Sequence, residues 1–264
     1  MISTTTQKGK VVIAGAGPGD PELITVKATR YIKHADVILV DRLVSKDILT
    51  TYASPQALII EVGKQNNKVS SVSQESINQQ LVEYALQGKN VVRLKGGDVA
   101  FFSNVLDELQ ILIDAQIEFE IIPGITAASG ASAYAGIPLT ARGYATSVRF
   151  LTYYKSDVVT DEYWKELANT NDTLVLYMTS EMLSEVVSNL IKHEIGSDKK
   201  LAVIEQATTP FQKIYISDIY NCTLMGNTFL SPAIVVIGKV VSLHEKFKWF
   251  GSDNENTYYF KPLN

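Results

Sequence analysis

Short, predominantly apolar runs bounded by polar and turn-forming residues recur along the whole chain. In the first half they are Val11 to Ala14, Val37 to Val40, Leu58 to Val62, Val91 to Leu94 and Phe119 to Ile122. Runs of this length, rich in β-branched side chains, predict strands. Between them lie helical patterns: one from Leu23 to Ala35, a second with Ile77, Leu81, Tyr84 and Ala85 on one face, and a third with Leu106, Leu109 and Ile113, both faces expected to point into the core. Strands alternating with helices predict an α/β fold with a mostly parallel sheet.

The second half keeps the runs, at Val148 to Thr152, Thr173 to Met178, Leu201 to Glu205, Gln212 to Ser217 and Ala233 to Gly238. Fewer helical patterns separate the last of these, which predicts a mixed sheet in a second domain. Punctuation at Pro123-Gly124 places the boundary there: residues 1–123 form an N-terminal α/β domain with glycine-rich loops, 124–250 a C-terminal α/β domain, and 251–264 a polar tail. A cleft between two such domains, at the carboxyl ends of the first domain's strands, is the expected ligand site.

Composition narrows the class. The chain has 264 residues, 46% hydrophobic and 20% charged, with a formal net charge of −4. No apolar run reaches the roughly 18 residues a bilayer-spanning helix needs, and Met1 to Lys10 is polar, so a cytoplasmic protein without membrane association is expected. A single cysteine, Cys222, agrees with a reducing compartment, and three scattered histidines offer no metal-ligand spacing. The acidic balance argues against a nucleic-acid partner but leaves room for local cations that meet an anionic small molecule.

Three small-residue segments follow strands. Val91-Val92-Arg93-Leu94-Lys95-Gly96-Gly97-Asp98 delivers a glycine pair and an aspartate into one loop, where main chain can approach a ligand closely. Gly15-Ala16-Gly17-Pro18-Gly19-Asp20-Pro21 has Asp20 where a dinucleotide fingerprint wants its last glycine, and Pro18 withholds an amide, so the loop is not built for phosphate. Pro123 to Pro138 reads as a close-packed helix ended at Gly136. Asp41, Arg42 and Lys64 also follow strands and share the edge from which the glycine loops emerge.

Taken in series, Gly15 to Pro21, Asp36 to Val44, Val91 to Asp98, Pro123 to Ala128 and Tyr134 to Thr140 resemble the tetrapyrrole methylase family, in its branch that C-methylates uroporphyrinogen III. The resemblance implies a homodimeric two-domain methyltransferase that binds S-adenosylmethionine between its domains, releases S-adenosylhomocysteine, and methylates C2 and C7 to give precorrin-2 for siroheme or cobalamin. Carried over by motif, it implies cofactor contacts at Pro18, Gly96, Gly97, Asp98, Phe101, Thr126, Ala127 and Met178. Ala207 stands where the family has glycine and would contact through its backbone. Asp41 would be the proton acceptor and Lys64 the proton donor. Carboxylates on the substrate call for cations, with Arg42, Arg93, Arg142, Arg149 and Lys64 as candidates, although Arg93, inside a strand, suits a structural ion pair at least as well.

Two stretches depart from the family pattern. Ser103-Asn104 replaces an arginine-bearing turn, with Ser103 expected to cap the next helix, and Ala141 stands where histidine is usual. Both bear on the substrate side, so a later precorrin is the alternative acceptor. A non-catalytic adenosyl-ligand sensor and an RNA-modifying enzyme are more distant readings, disfavoured by the presence of both Asp41 and Lys64 and by the lack of a basic patch.

Overall fold

The apolar runs of the first half lie side by side in one parallel sheet. A computed structural model of the protein describes residues 7–63, 73–154, 159–251 and 258–260. The chain divides into two units, Met1–Ala127 with Phe260–Asn264, and Ala128–Tyr259.

In the first unit the strands are β1 (Val11–Gly15), β2 (Val37–Val40), β3 (Leu58–Glu61), β4 (Val91–Lys95) and β5 (Phe119–Ile122). Their order is β3-β2-β4-β1-β5, and every neighbouring pair is parallel. Side chains alternate between the two faces with the strand period. Val12, Ala14, Ile38, Val40, Val92 and Leu94 pack on Ala28 and Ile32 of α1 (Val26–Lys33) and Ile48 of α2 (Lys46–Tyr52). Val11, Ile13, Val37, Leu39 and Val91 pack on Ile77, Leu81 and Ala85 of α3 (Gln74–Leu86) and Leu112 of α4 (Leu106–Asp114). Covering both faces explains the buried runs of β1, β2 and β4; the edge strands β3 and β5 are less covered, with Leu58, Ile59 and Ile121 exposed.

Helix ends differ from the periodicity where local hydrogen bonds decide. Thr25 accepts from the Ala28 amide at 3.2 Å and starts α1 at Val26. Residues Pro21–Leu23 form a separate short turn, capped by Asp20 through the Glu22 amide at 2.9 Å. Ser103 does not cap α4: its hydroxyl donates to the Val99 carbonyl, and the helix begins after Val105 without a side-chain cap. The stripe on α4 also needs correction. Leu106 and Ile113 are 73% and 56% exposed, whereas Glu108 and Leu112 are fully buried. An ionic partner, described below, turns the helix so that a carboxylate faces the sheet.

In the second unit the sheet runs β6 (Val148–Thr152), β7 (Thr173–Tyr177), β10 (Ala233–Gly238), β8 (Lys200–Glu205), β9 (Lys213–Asp218). Only β6 and β7 are parallel; the other neighbours are antiparallel. A parallel return needs a crossover of a dozen residues or so, which the short link from β8 to β9 cannot provide. One face carries α6 (Asp161–Asn169) and α7 (Leu183–Lys192), where Trp164, Leu167, Val186 and Leu190 meet Leu174, Leu176, Val203 and Val235. The small-residue segment forms α5 (Ala127–Ala135), and α8 (His244–Phe247) follows the last strand.

Candidate functional site

Because all strands of the first sheet point the same way, their carboxyl ends share one edge. Adjacent strands β1 and β4 send their connections in opposite directions, to β2 and β5, the arrangement at which open α/β sheets form a ligand crevice. The glycine loops meet here. Gly17 and Gly97 form an isolated antiparallel bridge. A Cβ on Gly15 would lie 2.6 Å from the Gly97 carbonyl oxygen, and one on Gly124 only 2.3 Å from it. These glycines are therefore required first by contact between loops of the protein itself. Gly97 is different: it has φ +69°, and the nearest atom to a Cβ there, the Ala127 amide nitrogen, is 3.7 Å away, so room remains beside that loop.

Asp98 is buried and braces the same edge. Its Oδ1 accepts from the Ala100 amide at 2.8 Å and its Oδ2 from the Gly124 amide at 2.7 Å. Both oxygens thus hold loops in place. Pro18 is buried in the first loop; Thr126 and Ala127 are half-buried, and Phe101 is 37% exposed.

Asp41 emerges from β2 with its side chain 28% exposed. Its partner is Arg93, whose Nη2 lies 2.5 Å from Oδ1, rather than the adjacent Arg42. Register explains the pairing: Arg93 stands opposite both Ile13 and Leu39, on the sheet face where Asp41, two residues beyond Leu39, also projects. Lys95 shares that face, and Glu108 of α4 answers both cations, from Oε1 to Arg93 Nε at 2.8 Å and from Oε2 to Lys95 Nζ at 2.9 Å. Burial alone would lower the Arg93 guanidinium, but the charges of Asp41 and Glu108 and the hydrogen bonds to them outweigh it and hold the group above the usual arginine range. Arg42 is shifted down by burial, which the Asp41 charge only partly offsets.

Glu108 and Lys95 were not singled out from sequence. A signal was present: two cations at alternate positions of an otherwise apolar strand point to one face and require an anion there.

The remaining candidates fall in different places. Lys64 lies outside the described residues. Arg149, in β6, is engaged by Glu166 and by Asp172, and these hydrogen bonds raise it, Asp172 having the larger effect. Arg142 is exposed. Tyr177 and Glu205 face Ile234 and Ala233 at the start of β10, so Met178 and Ala207, which follow them, leave one edge of the second sheet. Met178, 49% exposed, has φ +55°, and Ala207 is flanked by Gln206 at +45° and Thr208 at +66°. Such conformations are costly for residues with side chains, least tolerable for β-branched Thr208, and mark both turns as held by their surroundings.

Among the described residues no group of three or more His, Cys, Asp and Glu side chains gathers around one point, and no helix is long and apolar enough to cross a membrane. The second unit has a cleft of about 530 Å³ beside β9, lined by Tyr215, His244, Lys248 and Trp249 among others. Its polar groups are already engaged: Tyr215 with Glu205, His244 with the Ala135 carbonyl, Lys248 with Glu245, and Trp249 with the Ala133 carbonyl.

Residues 10–222 match the model of the tetrapyrrole (corrin/porphyrin) methylases. The siroheme synthase of Acinetobacter baylyi is 46% identical over 251 residues, 94% of this chain and 54% of that protein. This chain thus spans about half the length of the curated relatives it matches. The uroporphyrin-III C-methyltransferase structure from Thermus thermophilus superposes with a TM-score of 0.76 at 32% identity, covering 92% of this chain and 98% of that one. A second structure of that Thermus enzyme, in complex with S-adenosyl homocysteine, gives 0.73 at 30%, covering 88% and 93%.

Proposed function

The chain belongs to the tetrapyrrole (corrin/porphyrin) methylases, and from that premise we propose that it is an S-adenosylmethionine-dependent C-methyltransferase converting uroporphyrinogen III to precorrin-2. The observation that carries the reading is the carboxyl edge of the parallel sheet. There the glycine loops after β1, β4 and β5 lock together, next to β2 and its partly exposed carboxylate Asp41.

S-adenosylmethionine supplies a methyl group made electrophilic by its sulfonium charge. An electron-rich pyrrole carbon can attack such a methyl without a covalent nucleophile, so the task of the chain is to align and to move protons. Braced by Asp98 and by contact among themselves, the glycine loops present fixed main chain, and the lack of a tight neighbour at Gly97 suits close approach by the donor. Asp41 is the proton acceptor: Arg93 holds Oδ1, and Oδ2 takes no hydrogen bond from the described residues. Lys64 is the proton donor on the strength of its motif. Arg42, Arg142 and Arg149 are the candidate cations for substrate carboxylates; Asp172 and Glu166 already engage Arg149. Pro18, Phe101, Thr126, Ala127, Met178 and Ala207 complete the proposed donor contacts. Action as a cytoplasmic homodimer belongs to the same reading.

Anaerobic incubation with S-adenosylmethionine and uroporphyrinogen III, followed by mass analysis of the tetrapyrrole, tests it. A gain of two methyl groups is expected. An unchanged tetrapyrrole, from a protein that binds the donor, would reject this acceptor and turn the search to later precorrins.

A further inference from the structure

We propose that Arg93 is a positioning residue for Asp41, and that the buried carboxylate of Glu108 is the anchor that keeps Arg93 in place. This rests on the reading of Asp41 as the proton acceptor. Every nitrogen of the Arg93 guanidinium is engaged. Nε donates to Glu108 at 2.8 Å, Nη2 to Asp41 at 2.5 Å, and Nη1 to the carbonyls of Leu39 at 3.4 Å and Leu94 at 3.3 Å. A planar fork held at all three nitrogens cannot swing, so it fixes the direction from which Oδ1 of Asp41 is held, while the Asp41 side chain stays 28% exposed.

The anchor reaches further than one pair. Glu108 stands on α4, beyond the loop that carries Gly96, Gly97, Asp98 and Phe101, while Arg93 and Lys95 stand on β4 before it. The two ionic contacts to Glu108 therefore bridge the ends of that segment, while the loop itself is braced by Asp98 and by the Gly17–Gly97 pairing. Side-chain exposures are 3% for Arg93, 5% for Lys95 and 0% for Glu108. With Asp41 the group holds two cations and two anions, so its charges cancel. Buried ionic clusters are rarely more stabilising than apolar packing of the same volume, so stability alone does not account for this one.

The test uses the intact protein and methyl-labelled donor, comparing wild type with Arg93→Lys, Asp41→Asn and the double variant. Lysine keeps the charge but has a single head that cannot meet Asp41 and Glu108 together. Arg93→Lys should lower kcat by about 10-fold or more, because small misplacements of a reacting group cost that much, while the Kd for S-adenosylhomocysteine stays within about 2-fold. In the Asp41→Asn background the same change should cost no further turnover, since its effect passes through Asp41. Wild-type kcat in Arg93→Lys, a matched loss of donor binding, or full additivity with Asp41→Asn would each overturn the proposal. Should Arg93→Lys not fold, Glu108→Gln carries the same expectation of reduced kcat at unchanged donor binding, and wild-type kcat there would overturn it. Undiminished turnover by Asp41→Asn, or none by wild type, would instead sink the reading on which the proposal stands.

Discussion

Gly17 and Gly97 exchange two backbone hydrogen bonds, from the Gly17 amide to the Gly97 carbonyl at 3.1 Å and from the Gly97 amide to the Gly17 carbonyl at 2.8 Å. The loops after β1 and β4 are thereby joined main chain to main chain. Amides that a sequence reader would offer to a ligand are already spent on each other. Whatever binds at this edge meets a surface whose shape is set before it arrives.

Substitution should separate the glycines by role. In Gly124→Ala the added carbon would lie 2.3 Å from a carbonyl oxygen, and the backbone must shift; a loss of about 1–3 kcal/mol is expected from such overpacking. Gly97→Ala meets only an ordinary van der Waals contact, the Ala127 amide nitrogen at 3.7 Å, so its φ of +69° is what opposes it, at about 1–2 kcal/mol. Thermal unfolding of the two variants should rank Gly124→Ala as the less stable, with Gly97→Ala showing a disproportionate loss of donor affinity by calorimetry.

Asp98→Asn keeps size and removes charge. One of the two oxygens that now accept from the Ala100 and Gly124 amides becomes a donor facing a donor. A destabilisation of about 1–3 kcal/mol follows from the unsatisfied pair, measurable by urea unfolding.

On α4 the correction to the apolar stripe has a direct test. Leu106→Gln and Ile113→Gln alter exposed positions and should change stability by no more than about 0.5 kcal/mol. Leu112→Ala empties a fully buried site and should cost about 2–5 kcal/mol. The reverse order in chemical denaturation would restore the original stripe.

Asp172 gives a pH dependence with a definite sign. The Ser147 hydroxyl first, and the Arg149 guanidinium next, lower its carboxyl from 3.8 to about 2. A carboxyl depressed by folding stabilises the protein above its unfolded pKa and loses that contribution as pH falls through its folded one. The contribution is therefore complete above about pH 5 and is lost between about pH 4 and 2. Arg149→Met should flatten the slope of stability against pH in that window, read from denaturant midpoints across it, and leave the slope near pH 7 unchanged.

Much of the fold was legible because strands buried inside a parallel sheet are rich in apolar, β-branched side chains. Val37-Ile38-Leu39-Val40 and Val91 to Leu94 could hardly be read otherwise. Strand order was not legible: nothing in β4 announces that it lies between β2 and β1, since order is fixed by how helices pack across the sheet. At the site, motifs placed Asp41 and the glycine loops at one edge, while nothing in them named Arg93 as the partner of Asp41. Periodicity assigned Leu106 and Ile113 to the core because it counts apolar side chains, and on α4 an ionic contact from Glu108 set the rotation instead.

The close approach of Gly15, Gly97 and Gly124 also constrains how this edge can change by descent. The three atoms nearest a Cβ at Gly15, and likewise at Gly124, all belong to main chain. No replacement elsewhere can shorten a peptide group, so a screen for suppressors of Gly124→Ala should recover same-site revertants and little else.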